Sequence, residues 1–456
     1  MNAEKDLTKG PLWKQIILFS LPLMFSNILQ ALFNMSDIAV AGKFAGPHAL
    51  GAVGSTPQFL FLFTGLAMGM GQAVNVTAAF YLGQKNQEKL SKTVHTAFLI
   101  CLAYGIVICI LARVIARPVL VLTKTKPEFL EGAVSYLHII LLGIPAMAMF
   151  NYGSGLFSAK GDNKTPMVFL GISGVVNIIL NLVFVIKFKM DVEGVALASF
   201  IAEYISAALV LIPVLTGRWG VKFELRQLKI EKVLALNLIK IGIPAGLQNA
   251  IFAIANIFVQ EGVNRIPAAG VVQGNAASSN FDPVNYNIMN ALYTAGASFI
   301  GQNYGAGNKK RVLHSYLISM FYAFAVSFLL GTFIFFAGEQ FMSLFVDLKR
   351  PESADIILQG CNRFKVMAFS YCISAFMDGT IAACRGLGKT IVPSIFVFLG
   401  SCVFRIIWVR FIFDGSSIQS LYLLYVFSWT ITAVMEMVYF ASLYRKIPEQ
   451  KESVNL

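Results

Sequence analysis

Residues 44–84 read FAGPHALGAVGSTPQFLFLFTGLAMGMGQAVNVTAAFYLGQ, 41 positions without one Asp, Glu, Lys or Arg. In a soluble domain about one residue in four is charged, so no water-facing surface can be built from such a stretch. Crossing the hydrocarbon of a bilayer takes ~20 apolar residues in a helix. The stretch therefore holds one membrane helix and its approach, with breaks expected near Pro47 and Pro57, where proline cannot donate to the helix ladder.

The rest of the 456 residues repeats the message. Hydrophobic residues make up 57%, charged residues 13%, and the mean hydropathy is +0.70. Charge-free runs at 15–36, 93–112, 132–159, 165–186, 241–260, 312–338 and 415–435 each predict a span. Four less clean spans, at about 194–215, 276–303, 358–384 and 390–413, are interrupted by one to three charges. The reading is an all-α polytopic membrane protein of twelve transmembrane helices. A soluble enzyme and a single-anchor protein are excluded, because 39 Phe would find no polar cover. A β-barrel alternates apolar and polar residues and does not produce long charge-free runs. The polar first 14 residues end at Lys14, and the apolar run after them is too long for a signal-peptide core, so it reads as the first helix.

Cys101, Cys109, Cys372, Cys384 and Cys402 lie within apolar segments, and Cys361 stands alone, so neither a disulfide framework nor a structural metal is expected. Basic residues set the orientation. The two termini and the loops on their side carry 22 of the 36 Lys and Arg, against 14 opposite, which puts both termini on the cytoplasmic side. The net charge of +13 is met by anionic lipid and calls for no nucleic acid.

The one long charged stretch in the middle, 216–240, divides the chain. The expected parts are a cytoplasmic segment 1–14, a first lobe 15–215, a linker 216–240, a second lobe 241–445 and a tail 446–456. Sliding the sequence by 222 residues puts Pro22 on Pro244, Asn27 on Asn249, Asn34 on Asn256, Phe59 on Phe281, Gly83 on Gly305 and Asn86 on Asn308. A shift of 225 puts Gly161 on Gly386, Lys164 on Lys389 and Thr165 on Thr390. Six helices per copy leave both copies with one orientation, hence a parallel repeat, as secondary transporters commonly have. Gly83 and Gly305 are expected to form tight turns. No GxxxxGK[ST] loop follows a strand, and Gly386-Leu387-Gly388-Lys389-Thr390 lies between two spans, so no ATP-binding is expected in this chain. An ion-coupled carrier is the expectation, with no cofactor other than a coupling H⁺ or Na⁺.

Phe19-Ser20-Leu21-Pro22, Asn34-Met35-Ser36-Asp37 with Ala41-Gly42, Lys160-Gly161-Asp162-Asn163-Lys164-Thr165-Pro166 and Asn177-Ile178-Ile179-Leu180-Asn181 occur in order in the first half. Gln302-Asn303-Tyr304-Gly305-Ala306-Gly307 and Arg385-Gly386-Leu387-Gly388-Lys389-Thr390, two residues before Pro393, follow in the second. Over nearly its whole length the chain resembles the multidrug and toxic compound extrusion (MATE) family of bacterial transporters. The resemblance implies twelve helices in two six-helix lobes, and efflux of organic, often cationic, compounds in exchange for H⁺ or Na⁺. It also implies a bacterial cytoplasmic membrane, multi-pass. The chain departs from the pattern at Asn181, where DinF-like members carry Asp, and at Ile251 and Phe252, where NorM-type members carry Glu. Ser158 stands where the family usually has Arg, with Lys160 nearby. The resemblance is closer to the DinF-like branch.

An ionised carboxylate in hydrocarbon is expensive, so it usually faces a cavity or a bound cation. Asp37 lies six residues before Lys43, ~9 Å below the outer boundary at 1.5 Å rise per residue. Asn181, six before Lys187, and Ser199, six after Glu193, lie at the same depth, and Asn177 shares a helix face with Asn181. Oxygen-only ligation suits Na⁺ at Asp37, Asn177 and Asn181, and protonation of Asp37 suits H⁺. The alternative is a helix–helix hydrogen-bond cluster. Glu203 either titrates beside Asp37 or pairs with Tyr136. Asp378 either binds a cationic substrate or neutralises Arg385 or Arg405, and Glu436 reads as a helix-end pair with Arg445. Asn34, Asn151, Asn249, Asn256, Asn287, Asn290 and Asp378 are the candidate lining of a substrate cavity. The buried ionisable residues are expected to be mainly acidic, which favours cationic solutes over the anionic headgroups of a lipid-linked precursor flippase, the alternative function. Small molecules and membrane lipids are the expected partners of a monomer.

Overall fold

The computed structural model describes residues 6–45, 49–123, 125–221, 223–346, 348 and 351–448. Among them there is helix and turn and no strand, because in hydrocarbon each backbone N–H and C=O must be satisfied within its own segment. The chain runs α1 Leu12–Phe44, a short α2 Ala49–Gly54, α3 Pro57–Gly83, α4 Gln87–Leu122, α5 Pro127–Ala159, α6 Lys164–Lys187 and α7 Val192–Leu215. It continues with α8 Lys232–Asn264, short α9 Val271–Ser279, α10 Phe281–Gly305, α11 Lys309–Phe336 and short α12 Gly338–Ser343. The last helices are α13 Ser353–Gly386, α14 Ile391–Ile412 and α15 Ile418–Arg445. Pro57 opens α3 as expected, whereas Pro47 lies outside the described residues.

Among the described residues, eleven helices are long and apolar enough to cross a membrane. The twelfth expected span, 276–303, is not one of them. It is broken at Asn280 between α9 and α10, and α10 carries Asp282, Asn285, Asn287, Asn290, Gln302 and Asn303. Its 25 residues suffice in length, and polarity sets it apart.

Two compact units form. One comprises Leu21–Asn249 with the segment ending at Lys9; the other comprises Gly10–Ser20 with the chain from Ala250 on. The unit boundaries thus fall inside α1, next to Pro22, and inside α8, a few residues after Pro244. Within the first unit, α3 and α5 pack backbone to backbone: a Cβ on Gly155 would fall 2.4 Å from the Gly71 carbonyl oxygen. Small residues permit this approach, which is how helices gain contact where lipid removes the hydrophobic drive. The second unit packs Phe281, Phe364, Tyr371 and Trp429 in its core.

The turns carry a repeated local code. Asn86 caps α4 by accepting from Lys89 N–H, and Asn308 caps α11 by accepting from Arg311 N–H. Before each cap a left-handed residue closes the preceding helix, Lys85 at φ 55° and Gly307 at φ 71°. Gly83 and Gly305 are the last residues of their helices and do not themselves make the turn. The sharp bend needs the left-handed backbone two residues later, where the helix C-terminal carbonyls are picked up. Gly161 at φ 81° likewise matches Gly388 at φ 72°, with Asp162 N–H donating to Phe157 as Lys389 N–H donates to Cys384. That turn therefore aligns at a shift of 227, not the 225 read from identities.

Candidate functional site

The first unit closes a ring of polar side chains contributed by three helices. Asp37 projects from α1, Asn177 and Asn181 from one face of α6, and Ser199 from α7. Asn181 Nδ2 donates to Asp37 Oδ1 at 2.6 Å and to Asn177 Oδ1 at 3.2 Å. Asn177 Nδ2 donates to Ser199 Oγ at 3.0 Å, and Ser199 Oγ donates to Asp37 Oδ2 at 2.7 Å. All four side chains are buried, Asn181 completely. The helical period explains the α6 contribution, because residues four apart share a face. A π turn at Val183–Lys187 follows at once and ends that helix.

Donor accounting shows what the ring can do. An ionised Asp37 accepts one donor at each oxygen, and among the described residues no basic side chain pairs with it. Asn181 Oδ1 is buried without a hydrogen-bond partner. A buried acceptor left without a donor costs ~1–3 kcal/mol, and either a proton on Asp37 or a cation near Asn181 would relieve it. The oxygens present suit a hard cation, since they come from a carboxylate, two amides and a hydroxyl.

Glu203 lies one turn beyond Ser199 on α7, with Oε2 buried and unpartnered. Its space comes from a defect in α5, which tightens at Leu141–Gly143 ahead of Pro145. A Cβ on Gly143 would lie 1.8 Å from Glu203 Oε2, so glycine makes the room. No hydrogen bond joins Glu203 to Tyr136, although Tyr136 stands within electrostatic range of both Glu203 and Asp37.

The candidate cavity residues are divided between the two units. In the first unit Asn34 is exposed, Asn151 donates to Met147 O of its own helix at 2.9 Å, and Asn249 lies against Gly65. In the second, Asn287, Asn290 and Asp378 are half-buried. Asn256 is exposed, and its Oδ1 accepts from Arg405 at 3.3 Å and from the Tyr425 hydroxyl at 3.0 Å. Asp378 lies within electrostatic range of Arg385 and Arg405 but makes no ion pair among the described residues.

Two expectations fail. Glu436 is fully buried in α15 with neither carboxylate oxygen hydrogen-bonded, so it is no helix-end partner of Arg445. The buried charge is not mainly acidic either: Arg363 and Arg405 are each 1% exposed. Arg363 donates to Asp282 at 2.5 Å, the Tyr371 hydroxyl also donates to Asp282, and the guanidinium lies 4.7 Å from the Tyr422 ring centre. The sequence signal for these arginines was their position, each inside a predicted span, Arg363 two residues before Lys365 and Arg405 five before Arg410.

The MatE family model matches residues 22–183 and again 244–409, together more than half of the chain. A probable multidrug resistance protein, YoeA of Bacillus subtilis, is 24% identical over 351 residues, 74% of this chain and 74% of that protein. The probable multidrug resistance protein NorM of Thermotoga maritima is 22% identical over 396 residues, covering 85% of this chain and 82% of its own. A solved outward-facing structure of a multidrug resistance MATE family transporter shares the fold, with a TM-score of 0.88 at 20% identity over 99% of this chain and 100% of that one. With two matches in series across both halves, the chain belongs to the MatE family and is a multi-pass membrane transporter, not an enzyme.

Proposed function

We propose that this protein is a secondary active antiporter that exports organic amphipathic compounds, cationic ones among them, in exchange for H⁺ or Na⁺ bound at Asp37. The observation that carries the reading is the closed Asp37–Asn181–Asn177–Ser199 ring with its orphaned Asn181 oxygen. Protonating Asp37 turns one acceptor into a donor and forces part of the ring to reorient. Binding Na⁺ recruits the same oxygens without a proton. Either event differs in free energy between two conformations of the unit, which is what a coupling ion needs in order to shift a conformational equilibrium. Glu203, half-buried one turn away with its Oε2 enclosed, is the second carboxylate of this proposal.

The proposed architecture is twelve spans, with α10 as the polar one, in two six-helix lobes related by a parallel repeat. Support comes from the two serial family matches and from the Asn86 and Asn308 caps, 222 residues apart. The proposed setting is a bacterial cytoplasmic membrane, with both termini cytoplasmic and the chain a monomer. Ile251 and Phe252 in α8, where NorM-type members carry Glu, support a reading nearer the DinF-like branch, although Asn181 stands where DinF-like members carry Asp.

The test is efflux of a fluorescent organic cation from proteoliposomes under an imposed pH gradient or an imposed Na⁺ gradient, applied separately. Wild type is expected to respond to one of them. Asp37→Asn keeps size and hydrogen bonding while removing the titrating charge, so it should express and fold but lose gradient-driven efflux. Wild-type rates from Asp37→Asn under both gradients would overturn the assignment and leave Glu203 and Asp378 as the leading carboxylates.

A further inference from the structure

Helix α14 relaxes into π turns at Phe398–Val403 and Trp408–Ile412, and Arg405 stands in the α-helical turn between them. π turns inside α-helices recur at functional positions, where they re-aim a side chain. The Arg405 guanidinium carbon lies 4.2 Å from the Tyr425 ring centre and 5.9 Å from those of Phe252 and Trp429. Its polar contacts are long and neutral: Nε donates to Ser428 Oγ at 3.4 Å and Nη1 to Asn256 Oδ1 at 3.3 Å. Among the described residues no carboxylate comes within ion-pairing distance, and Asp378 acts only from farther off.

This is unusual for a buried charge. Fully buried arginines are nearly always ion-paired, because an uncompensated cation costs several kcal/mol. Arg363, in the same unit, follows that rule with Asp282 at 2.5 Å. Arg405 is held instead by three π faces and two uncharged oxygens, the composition that proteins use to recognise organic ammonium and guanidinium ligands. Asn256, at the edge of the cage, is exposed, so the site has an open side.

We infer that the cage of Phe252, Tyr425 and Trp429, with Asn256 and Ser428, is an organic-cation site of the second unit. The protein's own Arg405 occupies it in this conformation, and a cationic substrate must displace that side chain. The inference rests on the transporter reading and deepens it by naming a substrate site and its class, a delocalised or alkylated ammonium or amidinium ion. Flat rings would take its face and the two oxygens its N–H groups. Asp378 is the carboxylate toward which the displaced guanidinium can withdraw.

Equilibrium binding in detergent, without any gradient, tests this. Rhodamine 6G serves as the cationic dye, fluorescein as its anionic xanthene counterpart and ethylguanidinium as the small cation. Removing the resident cation removes the competition, so Arg405→Ala should bind rhodamine 6G at least about tenfold tighter than wild type. Ethylguanidinium should compete with the dye and raise the unfolding temperature of that variant alone. Adding Tyr425→Leu should abolish the gain, and fluorescein should gain nothing. If Arg405→Ala does not fold, Arg405→Gln keeps the polar contacts without the charge and carries the same expectation. Unchanged dye affinity in either folded variant, or a gain that survives Tyr425→Leu, would overturn the inference. Because no gradient is applied, an empty cage beside intact Asp37-dependent efflux sinks this proposal only, and a binding cage without efflux sinks only the antiport reading.

Discussion

Asn181 shows how one amide sets the behaviour of a carboxylate. It spends both N–H groups on Asp37 and Asn177, and its oxygen has no partner. Asn181→Ala removes both donors and should cost ~1–3 kcal/mol of stability. It should slow gradient-driven efflux without abolishing it, since Ser199 still donates to Asp37; complete loss would promote Asn181 from support to essential ligand. Asn181→Asp puts a second carboxylate where the amide now donates at 2.6 Å, and two such groups share one charge. Efflux should survive that change better than it survives Asn181→Ala. Gly143 is equally specific. Gly143→Ala drives a methyl into Glu203 Oε2 and should lower stability by ~1–3 kcal/mol, as overpacking does. In the Glu203→Ala background most of the loss should vanish. A thermal-unfolding cycle measures this, and additive losses would refute the contact.

At the scale of elements, the segment after α7 is pinned to α4. His95 Nδ1 donates to Ser91 O at 2.8 Å, while Nε2 accepts from Glu224 N–H at 3.1 Å, and the ring stacks on Phe223. Thr96 Oγ donates to Lys229 O and accepts from Glu231 N–H, each at 3.2 Å. His95→Phe preserves the stacking and removes the hydrogen bond to Glu224, a net loss of ~1 kcal/mol. Hydrogen exchange should accelerate at Glu224 and its neighbours and stay unchanged in α5; unaltered exchange at Glu224 would show that the ring alone holds the segment. The turns offer a second check. Lys85 occupies a left-handed conformation that costs a non-glycine residue ~1–2 kcal/mol, and Gly307 occupies its equivalent. Lys85→Gly should therefore raise the unfolding temperature slightly, and Gly307→Ala should lower it.

For the whole molecule, orientation is the quantity that basic residues predict. Leu225→Cys, in the segment between α7 and α8, should resist an impermeant thiol reagent added outside intact cells and react after permeabilisation. Labelling from outside would reverse the topology. The unit boundaries inside α1 and α8, near Pro22 and Pro244, place a covalent crossing at two helices that each lack one ladder hydrogen bond. Those prolines are the positions where sequence alone marks a helix able to bend.

Hydrophobic run length and charge placement are local properties, and the sequence by itself determined what depends on them: the helical membrane class, most spans, the break at Pro57 and the family. It also marked Asp37, Asn177, Asn181 and Ser199, because the helical period and distance from flanking charges put them at one depth. The break at Asn280 between α9 and α10 escaped that reading, since the polar residues of α10 blur a hydropathy signal. Only the tertiary structure closed the four side chains into a ring and left the Asn181 oxygen without a donor. It also buried Glu436 and paired Arg363 with Asp282 across 81 positions of chain. Arg405, Phe252 and Tyr425 come from three different helices, and no periodicity within one helix records which neighbour its side chains will meet. Burial and pairing are decided between helices, and that is why they stay invisible until the helices pack.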